Sequence, residues 1–368
     1  MPLRPKFAAA GSGVAVGLLA ALLGAFPVHA QAVLKKVKLA YGGPALNISQ
    51  PWLELPGPLG YWRQEGLDVE VFAARGSLQA IQLLIAGQAD VAQINSWPLV
   101  QAATNNGILI RDVMLNTVID WVLVVPQDSP IKNIRDFKGK AIGTAGLGGM
   151  ALLKSFVQAG GLDPDRDVAI LPTGAGSMAA QALANDKVQG LFYRGSVIAA
   201  LENTGLAFRS FLDPQWQRLP GYSLAALQST IARDAKMLEG LVRGAAKASL
   251  FAYTNPDCAR RIQWASYPAT KPSGADEATL VKWDMHTLDA SLASMKMAFD
   301  LSGGTEWGRV TSEQFARLQE IYFRGRLIAK KLVNPADYII SVPDFFQKAN
   351  TFDHDGIVAQ AKGCDVKM

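Results

Sequence analysis

A short sequence unit occurs twice along the chain and constrains the fold more than any other feature. In the first copy, Gly76-Ser77 precedes a helical pattern of apolar residues and is followed by an apolar strand, Val91 to Asn95. Gly176-Ser177 begins the second copy, which leads in the same way into the apolar run Val188 to Tyr193. Strands that alternate with helices indicate parallel sheets, so the repeat predicts two related α/β halves.

The ends of the two repeated strands are the predicted ligand-binding positions. Asn95 ends the first strand, and a one-residue adjustment aligns it with Arg194 at the end of the second. Open α/β sheets bind ligands beyond the carboxyl ends of their strands, so two facing halves would enclose a cleft. There Asn95 offers a neutral hydrogen bond, and the planar guanidinium of Arg194 offers a bidentate contact to an anion. A solvated arginine or a salt bridge between the lobes is the alternative for Arg194.

Further candidate ligand contacts lie at helix starts and strand ends of the same segments. Free N–H groups at a helix start favour an anion, and aromatic rings at strand ends can stack on an organic ligand. The candidates at helix starts are Gly76, Ser77, Gly146, Gly148 and Gly149. The other candidates are Tyr41, Gly42, Trp52, Ser96, Trp97, Tyr193 and Tyr222. Ordinary helix caps, flexible loops and core packing of the aromatic residues are the alternatives.

Residues 1–30 have the pattern of a secretory signal peptide. Arg4 and Lys6 precede an apolar run, and Val28-His29-Ala30 matches a small-x-small cleavage site. We therefore expect cleavage after Ala30 and an exported protein without stable membrane insertion, because no later stretch has the roughly 18 uninterrupted apolar residues of a span. An uncleaved membrane anchor is the alternative.

Charge and motif content exclude several classes of function. The formal net charge is +5, and no run of Lys and Arg is interleaved with aromatic residues, so we expect no nucleic-acid binding. Cys, His and Ser occur in no metal-binding or catalytic spacing, so we expect no metal, no cofactor and no catalytic group. Cys258 and Cys364 could form a disulfide in an oxidising compartment, but the sequence does not decide whether they do.

The order of the elements predicts the boundaries of two lobes. Residues 31–125 form the first part of lobe 1, residues 126–220 form lobe 2, and residues 221–368 return to lobe 1. Two crossings, near Val125 and near Tyr222, make a hinge. After the return the pattern changes to long helices, which are expected at 238–251, 259–265, 275–292 and 312–331.

Five segments occur together in the order and spacing of one protein family. They are G-Y-W-R-Q-E-G-L-D-V-E-V from Gly60, G-S-L-Q-A from Gly76, L-I-A-G-Q-A-D-V-A from Leu84, V-V-P-Q-D-S-P-I from Val124 and F-K-G-K-A-I-G from Phe137. With them, the chain resembles the periplasmic solute-binding proteins that serve ABC importers of nitrate, sulfonates, taurine and pyrimidine precursors. Two departures are Pro56-Gly57-Pro58, where the family runs an unbroken helix, and Arg194, where its pyrimidine-binding members carry an acidic or neutral group.

The resemblance implies a two-lobed periplasmic binding protein fold of the α/β class, with a mostly parallel sheet flanked by helices in each lobe and two crossover segments forming a hinge. It implies a monomeric, non-enzymatic periplasmic component of an ABC importer. Such a protein captures a small organic anion, a sulfonate or carboxylate with or without an aromatic ring, and delivers it to the transmembrane permease subunits. Pyrimidine-precursor synthases of the same fold carry a cysteine-rich motif that is missing here. An enzyme of this fold and a sensory ligand-binding module are the alternative functions.

Overall fold

The computed structural model of the chain describes residues 33–43, 45–212 and 214–364. The signal peptide predicted for residues 1–30 lies outside this part of the chain and stays a prediction. Among the helices of the described ranges, none is both long and apolar enough to cross a membrane.

The strands of the described residues form two five-stranded sheets with the same arrangement. The first sheet contains β1 (Lys35–Tyr41), β2 (Leu67–Ala73), β3 (Val91–Asn95), β4 (Ile110–Val118) and β10 (Pro220–Leu227). The second contains β5 (Trp121–Pro126), β6 (Lys140–Thr144), β7 (Val168–Pro172), β8 (Gly190–Arg194) and β9 (Phe208–Phe211). Their strand orders are β2-β1-β3-β10-β4 and β7-β6-β8-β5-β9.

In each sheet four strands run in the same direction, and the fifth strand, β10 or β5, runs in the opposite direction. In the first sheet β1 pairs in parallel with β2 and β3, while β10 lies antiparallel between β3 and β4. In the second sheet β6 pairs in parallel with β7 and β8, while β5 lies antiparallel between β8 and β9. The prediction of two related, mostly parallel α/β halves is confirmed.

Helices alternate with the strands of both sheets, and no further strand follows β10 in the described residues. The helices are α1 (Pro51–Glu54), α2 (Tyr61–Gln64), α3 (Ser77–Ile85), α4 (Ser96–Asn105), α5 (Leu147–Ala159), α6 (Ser177–Ala184), α7 (Gly195–Glu202), α8 (Gln228–Thr254), α9 (Pro256–Ser266), α10 (Glu277–Leu301), α11 (Ser312–Arg324), α12 (Phe345–Ala349) and α13 (His354–Gly363). α1 and α2 are short because the Pro56-Gly57-Pro58 break lies between them.

The internal repeat is visible in the backbone conformation of its helix starts. Gly76 precedes α3 with φ 125°, and Gly176 precedes α6 with φ 59°, a region that favours glycine at both positions. Asn95 and Arg194 occupy equivalent positions before α4 and α7, with ψ angles of 146° and 150°. The alignment of Asn95 with Arg194 therefore corresponds to a true structural equivalence.

Two crossovers lie side by side between the sheets. The first runs from Val118 to Trp121, and the second enters β10 at Pro220. The backbone N–H of Ile119 donates to the carbonyl of Leu219 at 3.0 Å and joins them. All of β5 pairs within the second sheet, so the chain changes sheet before Trp121 and not near Val125, where the sequence pattern placed the crossing.

The helices after β10 pack against both halves of the molecule. From α10, Ser294 Oγ donates to the carbonyl of Val118 at 3.3 Å, beside the first crossover. At the other end of the same helix, the carbonyl of Trp283 accepts from Asn203 Nδ2 at 2.9 Å, next to α7 of the second half. α10 therefore braces the two halves behind the crossovers.

Two further features of the C-terminal helices bear on the sequence predictions. α11 ends at Arg324 and not near residue 331, because Gly325 caps the helix and Arg326 turns into the left-handed region with φ 57°. Cys258 in α9 and Cys364 after α13 form a disulfide with a Cα to Cα distance of 5.8 Å. The structure thus resolves the pairing that the sequence left open.

Candidate functional site

A small cavity lies where the carboxyl ends of β3 and β8 meet the two crossovers. Its volume is about 10 Å³, roughly the room of one water molecule. Four of the predicted site residues line it, namely Asn95, Trp97, Arg194 and Tyr222. The structure therefore brings together residues from distant parts of the sequence, from Asn95 to Tyr222, and it does so at the strand ends where ligands were expected.

Arg194 forms a buried ion pair inside this cavity. Its Nε and Nη2 donate to the two carboxylate oxygens of Asp120 at 3.1 and 3.4 Å, and both residues are 8 % exposed. Burial alone would lower the pKa of the guanidinium, but the charge of Asp120 and its hydrogen bonds to the guanidinium outweigh burial and raise the pKa. Arg194 is therefore a permanent cation whose charge is already matched, which is the salt-bridge alternative that the sequence left open.

The pair leaves part of the guanidinium unused. Asp120 accepts from the Nε and Nη2 edge, and among the described residues no hydrogen bond is formed by Nη1. The guanidinium carbon also lies 4.6 Å from the centre of the Tyr222 ring, a cation–π distance. Arg194 can therefore contact a ligand through Nη1 without losing Asp120.

Tyr41 and Gly42 support Tyr222 from the end of β1. The Tyr41 and Tyr222 rings meet edge to face at 6.4 Å, and the Tyr222 hydroxyl donates to the carbonyl of Gly42 at 3.2 Å. Burial raises the pKa of both phenols, so both stay neutral. A Cβ at Gly42 would lie 2.6 Å from the carbonyl oxygen of Gln93, so glycine is needed there for close packing.

Trp52, Ser77 and Ser96 do not line the cavity but bond to residues of β3 or β10, the strands that reach it. The Trp52 indole is fully buried and donates to Gln93 Oε1 at 2.8 Å. Ser77 Oγ accepts from the backbone N–H and side-chain amide of Asn95, at 3.1 and 3.3 Å, and Ser96 Oγ donates to the carbonyl of Gly221 at 3.0 Å. Their contacts hold Asn95 and the second crossover in position, and Gly76 starts the helix that carries Ser77.

Of the three glycines at the second helix start, Gly149 has a packing reason. Gly146 precedes α5 with φ 142°, and Gly148 follows in the first turn. A Cβ at Gly149 would lie 2.0 Å from Thr144 Oγ1 and 2.9 Å from the ring of Trp121. The lack of a side chain at Gly149 therefore lets α5 approach Trp121, and no ligand is needed to explain it.

The structure corrects the prediction for Tyr193. Successive side chains of a strand point to opposite faces, so Tyr193 leaves the sheet on the face opposite to Arg194. It packs in a separate apolar cluster of the second half, and its hydroxyl bonds to Thr173 and to the carbonyl of Gly174. Tyr193 does not join the cavity.

Several cavity residues were missed by the sequence reasoning. They are Thr117, Ile119, Asp120, Trp121, Leu152, Pro220, Gly221 and Tyr322. Asp120 had a usable signal, because it is a single acid between two apolar runs at a crossover. Tyr322 had none, because α11 reaches the cavity only through tertiary packing.

Two buried donors of the cavity have no hydrogen-bond partner in the described part of the chain. The indole N–H of Trp97 and the hydroxyl of Tyr322 are both unpaired, although these residues are 6 % and 1 % exposed. An unpaired buried polar group costs roughly 1 to 3 kcal/mol, so such groups call for a partner. Trp97, Tyr322 and Arg194 all line the same cavity, so a ligand there is near three residues with unused donors.

Another buried acid, Glu54, lies near Tyr41. Glu54 is 2 % exposed, and neither of its carboxylate oxygens has a hydrogen-bond partner among the described residues. Burial raises the pKa of Glu54 to about 9, and the nearby charge of Asp284 adds to the effect. Glu54 is therefore protonated and neutral at pH 7.

Glu54 gives a prediction for stability against pH. Its pKa is higher in the folded chain than in the unfolded chain, so the stabilisation from its bound proton is lost as the pH rises from about 4.5 toward 9. Glu54→Gln keeps the shape without the titration, and we expect it to be more stable than the parent by on the order of 5 kcal/mol at pH 9 and nearly equal at pH 4.5. Thermal unfolding of both proteins across this range measures the difference. If the stability of both proteins changed equally with pH, Glu54 would not have a raised pKa in the folded chain.

A larger groove, of about 350 Å³, lies elsewhere in the described part of the chain. It runs between α8 and α13, and its two cations, Arg243 and Lys247, already pair with Glu65. In the part of the chain that the structure describes, no group of three or more His, Cys, Asp or Glu residues is arranged to hold a metal ion.

Comparisons with known proteins identify the family and the fold. The sequence model of the family described as NMT1/THI5 like matches residues 58–259, more than half of the chain. No curated protein sequence matches the chain significantly. The structure is similar to the alkanesulfonate-binding protein SsuA from Xanthomonas axonopodis pv. citri bound to MOPS, with a TM-score of 0.61 and 16 % identity over 82 % of this chain and 97 % of that one.

Two further structures share the fold. The periplasmic aliphatic sulphonate binding protein SsuA from Escherichia coli gives a TM-score of 0.57 at 17 % identity, covering 83 % of this chain and 92 % of that one. The desulfurization enzyme DSZB gives 0.54 at 16 % identity, covering 85 % and 98 %. At such low identities the likeness shows the fold alone, and that fold serves both a binding protein and an enzyme.

Proposed function

The chain belongs to the NMT1/THI5-like family, and from this membership and the cleft geometry we propose that it is the extracytoplasmic solute-binding component of an ABC importer. Its ligand is a small organic anion, a sulfonate or a carboxylate. The observation that carries the proposal is the cavity at which the equivalent strand ends of both halves meet, with Asn95 from one and Arg194 from the other.

The chemistry of the cavity supports an organic anion. The Trp97 indole and the Tyr322 hydroxyl are buried donors without partners in the described residues, and Arg194 bonds to Asp120 only through Nε and Nη2. An oxyanion accepts several hydrogen bonds at once. The rings of Trp121 and Tyr222 provide apolar faces for the carbon part of the ligand. Sulfonates are the ligand class named for the two SsuA proteins that share the fold.

The proposed mechanism is hinge closure around the ligand. An organic anion is larger than a cavity of about 10 Å³, so binding requires the halves to separate at the two crossovers and to close again. Contacts from both halves then favour the closed population, which the permease subunits recognise. We place the mature protein in the periplasm as a monomer, after removal of residues 1–30.

A thermal-shift panel tests the function. A ligand at 100 times its dissociation constant stabilises the folded protein by about 2.7 kcal/mol, which raises the melting temperature by on the order of 5 °C. We expect such a shift with at least one of a panel of alkanesulfonates, aromatic sulfonates and aromatic carboxylates, and none with uncharged pyrimidines. A panel in which no anion raises the melting temperature would contradict the proposal.

The enzyme alternative predicts turnover of the bound compound. The fold permits it, since DSZB shares it, but none of the described residues that line the cavity is a cysteine or a histidine. Each compound that binds is therefore incubated with the protein and followed by NMR. A binding protein returns it unchanged, whereas an enzyme consumes it.

A further inference from the structure

A chain of hydrogen bonds runs through the interior of the first half, from β4 to the second crossover. Asp112 Oδ2 and Ser223 Oγ form a short hydrogen bond, and Ser223 Oγ lies 3.2 Å from Ser96 Oγ. Ser96 Oγ in turn donates to the carbonyl of Gly221 at 3.0 Å. Asp112, Ser223 and Ser96 are all buried, so bulk water is not available to replace a missing bond.

The protons of this chain indicate the state of Asp112. Three hydrogen bonds join its four groups, and each bond requires one proton. The two serine hydroxyls supply two protons, and the carbonyl of Gly221 supplies none. An ionised Asp112 would therefore leave one bond unmade, whereas a neutral carboxyl group supplies the third proton. In the complete chain Asp112 donates to Ser223, Ser223 donates to Ser96 and Ser96 donates to Gly221.

The surroundings of Asp112 favour the same neutral state. Its side chain is fully buried, and Oδ1 has no hydrogen-bond partner among the described residues. A buried carboxylate with so few partners is costly. Burial raises the pKa of Asp112 to about 8 and outweighs the opposing effect of the hydrogen bond to Ser223.

No neighbouring charge is needed to explain this shift. The buried titratable residues of the described elements packed against β4 all have partners elsewhere. They are Tyr222 of β10, Lys247 of α8, Asp284 of α10 and Tyr338 of the turn 335–338, which bond to Gly42, Glu65, Trp264 and Gln319 respectively. The other charged residues of these elements, and Arg111 of β4 itself, are half-buried or exposed.

Gly221 is the point at which the chain meets the predicted site. A Cβ at Gly221 would lie 2.0 Å from the carbonyl oxygen of Val118, so the two crossovers pack there without free space. Gly221 lines the cavity, and the next residue, Tyr222, places its ring against the guanidinium of Arg194. A change at the carbonyl of Gly221 therefore affects both crossovers and the cavity.

We propose that Asp112 is a protonated carboxylic acid and fixes the carbonyl of Gly221 through the two serines. Asp112 does not line the cavity, so it is a positioning residue for the hinge. When Asp112 loses its proton to solvent, the anion makes Ser223 the stronger acceptor for Ser96, and the carbonyl of Gly221 loses its donor. The pKa of Asp112 is higher in the folded chain than in the unfolded chain, so the complete chain is present below about pH 8 and is lost as the pH rises through that value.

Infrared difference spectroscopy tests the protonation state. A neutral carboxyl group and a carboxylate absorb at different frequencies, so the spectrum of the parent minus that of Asp112→Asn isolates this one acid. Glu54 is present in both proteins and cancels. We expect a neutral carboxyl band at about pH 6 that disappears as the pH rises through about 8. Absence of the band at about pH 6 would overturn the proposal.

Backbone N–H groups that join the crossovers test the effect on the hinge. Ile119 donates to the carbonyl of Leu219, and Tyr222 donates to Thr117 Oγ1 at 3.2 Å. Their exchange with deuterium measures how often the crossovers open. Comparing the parent with Asp112→Asn at the same pH removes the intrinsic pH dependence of exchange. We expect equal rates at about pH 6 and about three- to tenfold faster exchange in the parent at about pH 9, because the amide introduced by Asp112→Asn donates at every pH.

Two further variants control this experiment. Asp68→Asn changes an exposed acid of the same sheet and should exchange as the parent does at both pH values. Ser96→Ala removes the donor to Gly221 at every pH, so it should exchange faster than the parent at about pH 6 and equally at about pH 9. This comparison decides if Asp112→Asn does not fold.

A purely structural role of Asp112 would change the exchange rates by the same factor at both pH values. A ratio of parent to Asp112→Asn that does not vary with pH would therefore overturn the proposal. The inference rests on the proposed function only in taking the crossovers as the hinge. Neither experiment uses a ligand, so a negative result leaves the proposed binding function untouched.

Discussion

Arg194→Ala is expected to weaken the binding of an identified anionic ligand by about 2 to 5 kcal/mol, whereas Asn95→Ala should cost nearer 1 kcal/mol. The difference arises because Arg194 is the single cation of the described cavity lining, while Asn95 offers a neutral amide. Arg194→Lys should also bind weakly, since lysine keeps the charge but loses the fork that serves Asp120 and a ligand together. Calorimetry on the three variants measures the ratio.

The ion pair requires two controls in this experiment. Removing Arg194 leaves Asp120 buried without its partner, which destabilises the fold apart from any effect on the ligand. The double variant Arg194→Ala/Asp120→Ala removes both charges and separates these effects, and Arg166→Ala removes an exposed arginine of the same half. If folded Arg194→Ala binds the anion as tightly as the parent, the role of Arg194 in binding is wrong.

Loss of the disulfide between Cys258 and Cys364 is expected to lower the free energy of unfolding by about 2 to 4 kcal/mol. The bridge closes a loop of 106 positions, and a long loop has much conformational freedom in the unfolded chain when it is open. Unfolding of the Cys258→Ser/Cys364→Ser variant by denaturant measures the change.

Ligand affinity gives this experiment an internal control. Neither cysteine lines the cavity, so a folded variant should bind as the parent does. A reductant should destabilise the parent and leave the serine variant unaffected. Equal stability of parent and variant would mean that the bridge does not constrain the chain.

The sequence predicted the repeated architecture because the repeat is local in each half. The strand at Val91, the helix at Ser177 and the equivalence of Asn95 with Arg194 all follow from short patterns of apolar residues and glycine. Strand-end placement then brought Asn95, Trp97, Arg194 and Tyr222 to one cavity, as parallel sheets require.

What the sequence did not predict depends on which groups meet across the fold. The pairing of Arg194 with Asp120 joins a strand end to a crossover, and although Asp120 stands out as a single acid between two apolar runs, no local pattern shows that Arg194 is its partner. Tyr193 was assigned to the site by its position at a strand end, but the alternation of side chains along β8 sends it to the other face. The approach of Tyr322 depends on how α11 packs after the chain has returned to the first sheet.

The first sheet is completed by β10, which follows all the strands of the second sheet in the chain, and this fixes an order in which the chain can fold during synthesis. β4 can pair with β10 only after the residues of β5 to β9 have been made, because Ile110 faces Leu227 across the ladder. The second sheet uses only strands between Trp121 and Phe211, so it can be completed while the first sheet still lacks β10. A nascent chain stopped before Pro220 therefore carries one finished sheet, an open edge at β3 and a β4 that has no partner strand. A chaperone or a secretion factor that holds unfolded chains would find these exposed.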